Sequence, residues 1–127
     1  MTDLSSTIDH PSSLTNEDIM SLIIHAASGS KETVTIKSLS EKIRQAREKK
    51  LATGTIAIRP VPNGYYSEHI AEYVALLIEG GLAEKKNPLI ITPKGRKLLK
   101  QSLKEILDRD PAHAKKWLEF LNVPLSH

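Results

Sequence analysis

Residues 67–100 read SEHIAEYVALLIEGGLAEKKNPLIITPKGRKLLK, and this stretch decides the fold. Apolar residues at helical spacing follow Ser67, and Gly80-Gly81 ends that helix. Short apolar runs on both sides of the basic turn 85–88 predict a β-hairpin. Thr92-Pro93 then begins another helix, because proline at the first helical position loses no hydrogen bond. The predicted order is therefore helix, two-stranded wing, helix.

Two helices and one strand are predicted before this stretch. Thr15, with Asp18 three positions later, resembles a capping box and starts the first helix. The β-branched run 33–36 predicts a short strand. Ser38 opens a second capping box, and the helix that follows is expected to reach about Lys50.

Residues 51–66 are the least regular part of the chain. The segment 55–58 fits a short strand. Pro60, Pro62 and Asn63-Gly64 exclude a helix there and predict a turn. About sixteen residues thus separate the second predicted helix from the third, whereas a helix-turn-helix normally joins its helices by three or four.

The C-terminal part is predicted to be helical. A fourth helix carries an apolar stripe that includes Leu98 and Leu99, and Asp110-Pro111 begins a short fifth helix. So short a helix is unstable alone in water, so it must dock, either on its own domain or across a twofold axis. We favour a homodimer, because these helices offer more apolar surface than a three-helix core can cover. The residues assigned to dimerisation or docking are Leu103, Ile106, Leu107, Trp117, Leu118 and Leu121.

Composition narrows the class of protein. The chain has 127 residues, 39% of them hydrophobic, and no cysteine, which excludes disulfides and thiolate zinc sites. No apolar run approaches the ~20 residues that a membrane span needs. The first thirteen residues contain neither an apolar run nor a lysine or arginine, unlike a signal or transit peptide. A cytoplasmic protein without a membrane partner is expected.

Residues 79–99, EGGLAEKKNPLIITPKGRKLL, resemble bacterial and archaeal winged-helix transcriptional regulators. In those families an acidic-Gly-Leu sequence, a basic wing and Thr-x-x-Gly-Arg/Lys-x-Leu-Leu commonly follow one another. The resemblance implies a mainly α protein with a small β-wing, that is, a winged helix-turn-helix domain with a C-terminal helical extension. Because residues 1–13 are polar, we expect a flexible tail (1–13), then the winged-helix domain (14–108) and a dimerising or docking helix (109–127).

The resemblance also implies a function, namely sequence-specific or general binding of double-stranded DNA by a dimeric transcriptional regulator. The third helix would enter the major groove and present Ser67, Glu68, His69, Glu72 and Tyr73. Residues 31–50 carry seven basic and three acidic side chains, which suits contacts to phosphates. The expected phosphate and wing contacts are Arg44, Arg47, Lys49, Lys50, Arg59, Lys85, Lys86, Lys94 and Arg96.

An alternative function is a winged-helix protein–protein interaction module that does not bind DNA. The third helix carries Glu68, Glu72 and Glu79 but no lysine or arginine, and carboxylates are repelled by phosphates. Its acidic character and the long loop before it both motivate this second hypothesis.

An enzyme is not expected. The five histidines show no metal-ligand spacing, and neither a Gly-rich phosphate loop nor a Gly-x-Ser-x-Gly motif occurs in the chain. The sequence therefore predicts no metal and no cofactor, and it specifies no small-molecule effector.

Overall fold

A computed structural model describes residues 11–29 and 33–123. Within them the fold is mainly helical with two small antiparallel hairpins, which confirms the predicted class at that level. None of the helices described is long and apolar enough to cross a membrane. In chain order the elements are α1 (Asn16–Ser28), α2 (Ile36–Glu48), β1 (Arg59–Val61), β2 (Gly64–Tyr66), α3 (Glu68–Glu79), β3 (Ala83–Lys86), β4 (Leu89–Ile91), α4 (Pro93–Arg109) and α5 (Pro111–Phe120).

Capping side chains fix several helix starts where the sequence predicted them. Thr15 Oγ1 accepts from the Asp18 N–H at 3.1 Å, while the Asp18 carboxylate accepts from the Thr15 N–H at 2.9 Å. Ser67 caps α3 and Thr92 caps α4 without a reciprocal bond, each by accepting from the N–H three residues later. These contacts satisfy backbone donors that have no partner inside their own helix.

The strand predicted at 33–36 is wrong, because Ile36 is already the first residue of α2. Thr35 is the N-cap and exchanges hydrogen bonds with Ser38, at 2.8 and 3.1 Å. The capping box therefore lies three residues before the one predicted at Ser38. The helix ends at Glu48, and Lys50 adopts a positive φ of 62°.

The segment between α2 and α3 folds as a hairpin, not as the predicted strand at 55–58. Strands β1 and β2 pair around Pro62-Asn63, where the sequence predicted a turn. The irregular residues before β1 are held by Arg47, whose guanidinium donates to Thr53 Oγ1 and to the Ile56 carbonyl. The side chain of Ile56 is buried in the core.

Helix α5 folds back onto its own chain. Trp117 is fully buried, and its Nε1 donates to the Ala52 carbonyl at 2.8 Å. Leu103, Ile106 and Leu118 are also buried within the chain, so these side chains are not available to a partner. Leu98, which the sequence placed on the inner stripe of α4, is 43% exposed.

The corner between α4 and α5 is organised by the buried carboxylate of Asp110. This carboxylate accepts from the Ser13 N–H at 2.9 Å, and it contacts His113 Nδ1 at 3.0 Å. Burial alone would raise the pKa of Asp110, but the hydrogen bonds from Ser13 and His113 outweigh it and lower that pKa well below its usual range. Residues 1–10 of the predicted tail lie outside the described residues, whereas Ser13 is anchored at this corner.

Gly95 marks a close approach between the start of α4 and the base of the β3–β4 hairpin. A Cβ atom at this position would lie 2.0 Å from the backbone oxygen of Leu82. No side chain fits there unless the backbone moves. The glycine in the Thr-x-x-Gly pattern is therefore a packing requirement in this chain.

We expect Gly95→Ala to lower the free energy of unfolding by about 1–3 kcal/mol, because overpacking outweighs the better helix propensity of alanine. Gly80→Ala is the matched control, since its Cβ would meet nothing closer than 3.5 Å. Its effect should stay within about 0.5 kcal/mol. Urea unfolding, followed by Trp117 fluorescence, measures the free energy of unfolding of both variants. Equal effects of the two substitutions would contradict the packing argument.

Asp110 should make stability depend on pH in the acid range. Because its pKa is lower in the folded than in the unfolded chain, the carboxylate stabilises the fold above about pH 4, and this contribution is lost as the pH falls below that value. The difference in free energy of unfolding between the natural chain and Asp110→Asn should therefore be largest near neutral pH and shrink below pH ~4. A difference that is constant down to about pH 2 would show that another property of the carboxylate matters.

Candidate nucleic-acid interface

The turns of both hairpins meet at the first turn of α2. Lys37 Nζ donates to the carbonyl of Pro62 in the β1–β2 turn at 2.9 Å. The Ile36 N–H donates to Asn87 Oδ1 in the β3–β4 turn at 3.1 Å. Two consecutive residues of α2 thus hold two loops that are distant in sequence.

Further contacts fix each hairpin beside α2. Leu89 N donates to the Val34 carbonyl at 2.7 Å, so the residues just before α2 lie along β4. In the other hairpin, the Arg44 guanidinium lies 5.5 Å from the ring centroid of Tyr65. Such a cation–π contact orients the tyrosine ring against the helix.

The name hairpin-tip face is used for the surface on which the two hairpin turns contact α2. Its residues are Lys37, Pro62, Asn63, Lys85, Lys86 and Asn87. Its three lysines are exposed, and none of them has an ion pair within the described part of the chain. The sequence predicted Lys85 and Lys86 as wing contacts but missed Lys37. Only the contact with Pro62, 25 residues away, places Lys37 on this face.

Three of the four predicted phosphate-binding arginines are engaged with carboxylates or with the segment before β1. Arg44 pairs with Glu41 and with Glu48, both at 2.5 Å. Arg59 pairs with Glu68 at 2.8 Å, and Arg47 holds the segment before β1. The pKa values of Glu41 and Glu68 are lowered, chiefly by the hydrogen bonds from their arginine partners.

The other predicted phosphate contacts lie away from the hairpin-tip face. Lys49 and Lys50 follow the opposite end of α2. Lys94 is in the first turn of α4, at the base of the β3–β4 hairpin and away from its turn. Arg96 lies nearby, and its Nη1 donates to the Ile91 carbonyl at 3.1 Å. The structure does not bring these four residues together with Lys85 and Lys86.

Of the residues predicted to enter the major groove, three face the protein. Ser67 is fully buried and caps α3. His69 Nδ1 accepts from the Ala57 N–H at 2.9 Å. Tyr73 Oη lies 2.7 Å from Ser21 Oγ, and burial raises the pKa of this tyrosine. These side chains are occupied in positioning α3.

The outward face of α3 is acidic. Glu68, Glu72 and Glu79 are exposed, as is Leu76, and the helix contains no lysine or arginine. A helix with this face would place carboxylates beside phosphates if it entered a DNA groove. The electrostatics therefore favour the hairpin-tip face over α3 as the place where a polyanion would bind.

No metal site is evident in residues 11–29 and 33–123, since no three histidine or carboxylate side chains there are grouped closely enough to hold an ion. His10 and His127 lie outside the described residues. His113 is engaged with Asp110, and His69 with the backbone.

We expect Asn87→Ala to loosen the β3–β4 turn from α2. Loss of one hydrogen bond, worth about 1 kcal/mol, should speed amide hydrogen exchange at Ile36 about fivefold. Asn87→Asp keeps an acceptor oxygen at the same place, so the Ile36 amide of this variant should exchange as slowly as in the natural chain. Unchanged Ile36 exchange in the alanine variant would mean that this contact does not hold the turn.

The chain matches no protein-family model, no curated protein and no solved structure. The choice between DNA and protein as the partner therefore rests on this chain's own side chains. Their arrangement separates the acidic face of α3 from the basic side chains of the hairpin-tip face and of α4.

Proposed function

We propose that this protein binds double-stranded DNA through its hairpin-tip face, by contacts to the phosphate backbone. The observation that carries the proposal is the joint attachment of the two hairpin turns to Ile36 and Lys37. This attachment brings the hairpin end that carries Lys85 and Lys86 to the helix end that carries Lys37. Lysine ammonium groups without carboxylate partners are suited to neutralising phosphates.

Contacts of this kind fix a protein on the duplex without reading its sequence. Three lysine–phosphate contacts would give a slope of log affinity against log salt of about −3. Arginines that are already paired with carboxylates or bound to the backbone would add little to this slope. We therefore expect moderate, strongly salt-dependent affinity and little discrimination between sequences.

The element order supports the same proposal. Apart from the β1–β2 hairpin inserted between α2 and α3, the order α1, α2, α3, β3–β4 and α4 is compatible with a winged helix, in which the β3–β4 hairpin would be the wing. The hydrogen bond from Leu89 to Val34 joins the residues before α2 to the β3–β4 hairpin. In this proposal the β3–β4 hairpin and the additional β1–β2 hairpin would make the contact with DNA.

Two adjacent-lysine variants test which surface binds. Lys85→Gln/Lys86→Gln removes two charges from the hairpin-tip face, and Lys115→Gln/Lys116→Gln removes two exposed charges from α5. Fluorescence anisotropy with a random 30-base-pair duplex would be measured over a range of salt concentrations. We expect the first variant to reduce the salt slope by about two and the control to leave it nearly unchanged.

Lys37→Gln provides a second test, because this residue was identified by the structure alone. It should reduce the slope by about one. An equal reduction of the salt slope in the Lys115/Lys116 control and in the Lys85/Lys86 variant would show that only net charge matters. That outcome would remove the assignment to this face.

A protein–protein interaction module without DNA binding is the second candidate. The specific observation that favours it is the exposed acidic face of α3, which has no use in phosphate binding. If the natural chain fails to bind the duplex even at low salt, the first proposal fails and this candidate takes its place.

A further inference from the structure

Among the described residues, three large apolar side chains are exposed, namely Leu76, Ile90 and Leu98. Leu76, on α3, is 63% exposed. It lies four residues after Glu72 and three before Glu79, so the three side chains share one face of the helix. Neither glutamate has an ion pair in the described part of the chain.

Leu98, on α4, is flanked by basic side chains, whereas Leu76 is flanked by acidic ones. Lys94 precedes it by one helical turn, and Lys97 is its neighbour. The first carboxylate of this helix is Glu105, in its fourth turn. Cations near a helix N-terminus are disfavoured by the helix dipole, so their clustering here is not explained by the stability of α4. The basic residues before Glu105 are Lys94, Arg96, Lys97, Lys100 and Lys104.

We propose that the chain associates with a second copy of itself by packing the outer face of α3 against the outer face of α4. Leu76 of one copy would meet Leu98 of the other, and the glutamates beside Leu76 would meet Lys94 and Lys97. Each surface finds its complement in charge and in apolar character on the same chain, which is why the partner is a second copy. Each copy offers both surfaces, so either surface can meet its complement on another copy.

The contact would be weak. It centres on one partly exposed leucine from each copy, far less than the large apolar surface of a permanent dimer. Its remaining attraction comes from exposed charges, which salt screens over about 10 Å at 0.1 M ionic strength. The association should therefore depend on protein concentration and weaken as salt is added.

This interface is separate from the proposed DNA contact. Neither Glu72, Glu79, Lys94 nor Lys97 belongs to the hairpin-tip face, and the association is measured without nucleic acid. Failure of one proposal therefore leaves the other standing. The interface also differs from the dimer predicted from sequence, whose residues Leu103, Ile106, Trp117 and Leu118 are buried in the chain.

A charge-swap experiment tests the proposal by sedimentation equilibrium at low salt. Glu72→Lys/Glu79→Lys makes the α3 face basic, and Lys94→Glu/Lys97→Glu makes the α4 face acidic. Each variant alone would bring like charges together and should sediment as a monomer. In an equimolar mixture both contacts become complementary again, so association should return to the level of the natural chain.

The mixture also serves as the folding control, since a misfolded variant could not restore the interface. Lys115→Glu/Lys116→Glu, which changes charge outside both faces, should associate like the natural chain. A natural chain that stays monomeric at all concentrations would overturn the proposal. So would a mixture of the two swapped variants that remains monomeric, or a single variant that associates undiminished.

Discussion

The first N–H groups of an α-helix have no partner within the helix, and α2 meets this constraint in a way that organises the rest of the molecule. Thr35 accepts from the N–H of Ser38, and Asn87 accepts from the N–H of Ile36. The second of these contacts reaches across 51 residues and fixes the β3–β4 turn. Lys37, the next residue, fixes the β1–β2 turn through Pro62. A local requirement of one helix end thereby sets the position of both hairpins.

The arginines and the lysines of this region have different roles. Arg44, Arg47 and Arg59 lie at the hairpin between α2 and α3, where they contact a tyrosine ring, backbone and carboxylates. A planar guanidinium with several donors suits such multiple contacts. The lysines at the hairpin turns remain free for solvent or a polyanion. Charge counted along the sequence therefore overstates what is available for binding.

Local features of the fold could be predicted from the sequence, because they depend on neighbouring residues. The caps at Thr15, Ser67 and Thr92 and the hairpin before α4 are of this kind. The β-branched run at 33–36 indicated a strand, but Thr35 is also a strong N-cap, and capping prevailed. Leu98 followed helical spacing yet lies outside the buried stripe, because spacing alone does not show where a stripe ends.

The candidate site could be predicted only in part. Lys85 and Lys86 were identified from their place in a turn, whereas Lys37 joins them through contacts between distant segments. Asp110 shows another contact of this kind, since it caps α5 and also binds Ser13, 97 residues earlier. Fraying of the segment at Ser13 would deprive the cap of a partner, and unwinding of α5 would release that segment. The two ends of the described chain therefore belong to one cooperative unit, and a truncation at either end destabilises the other.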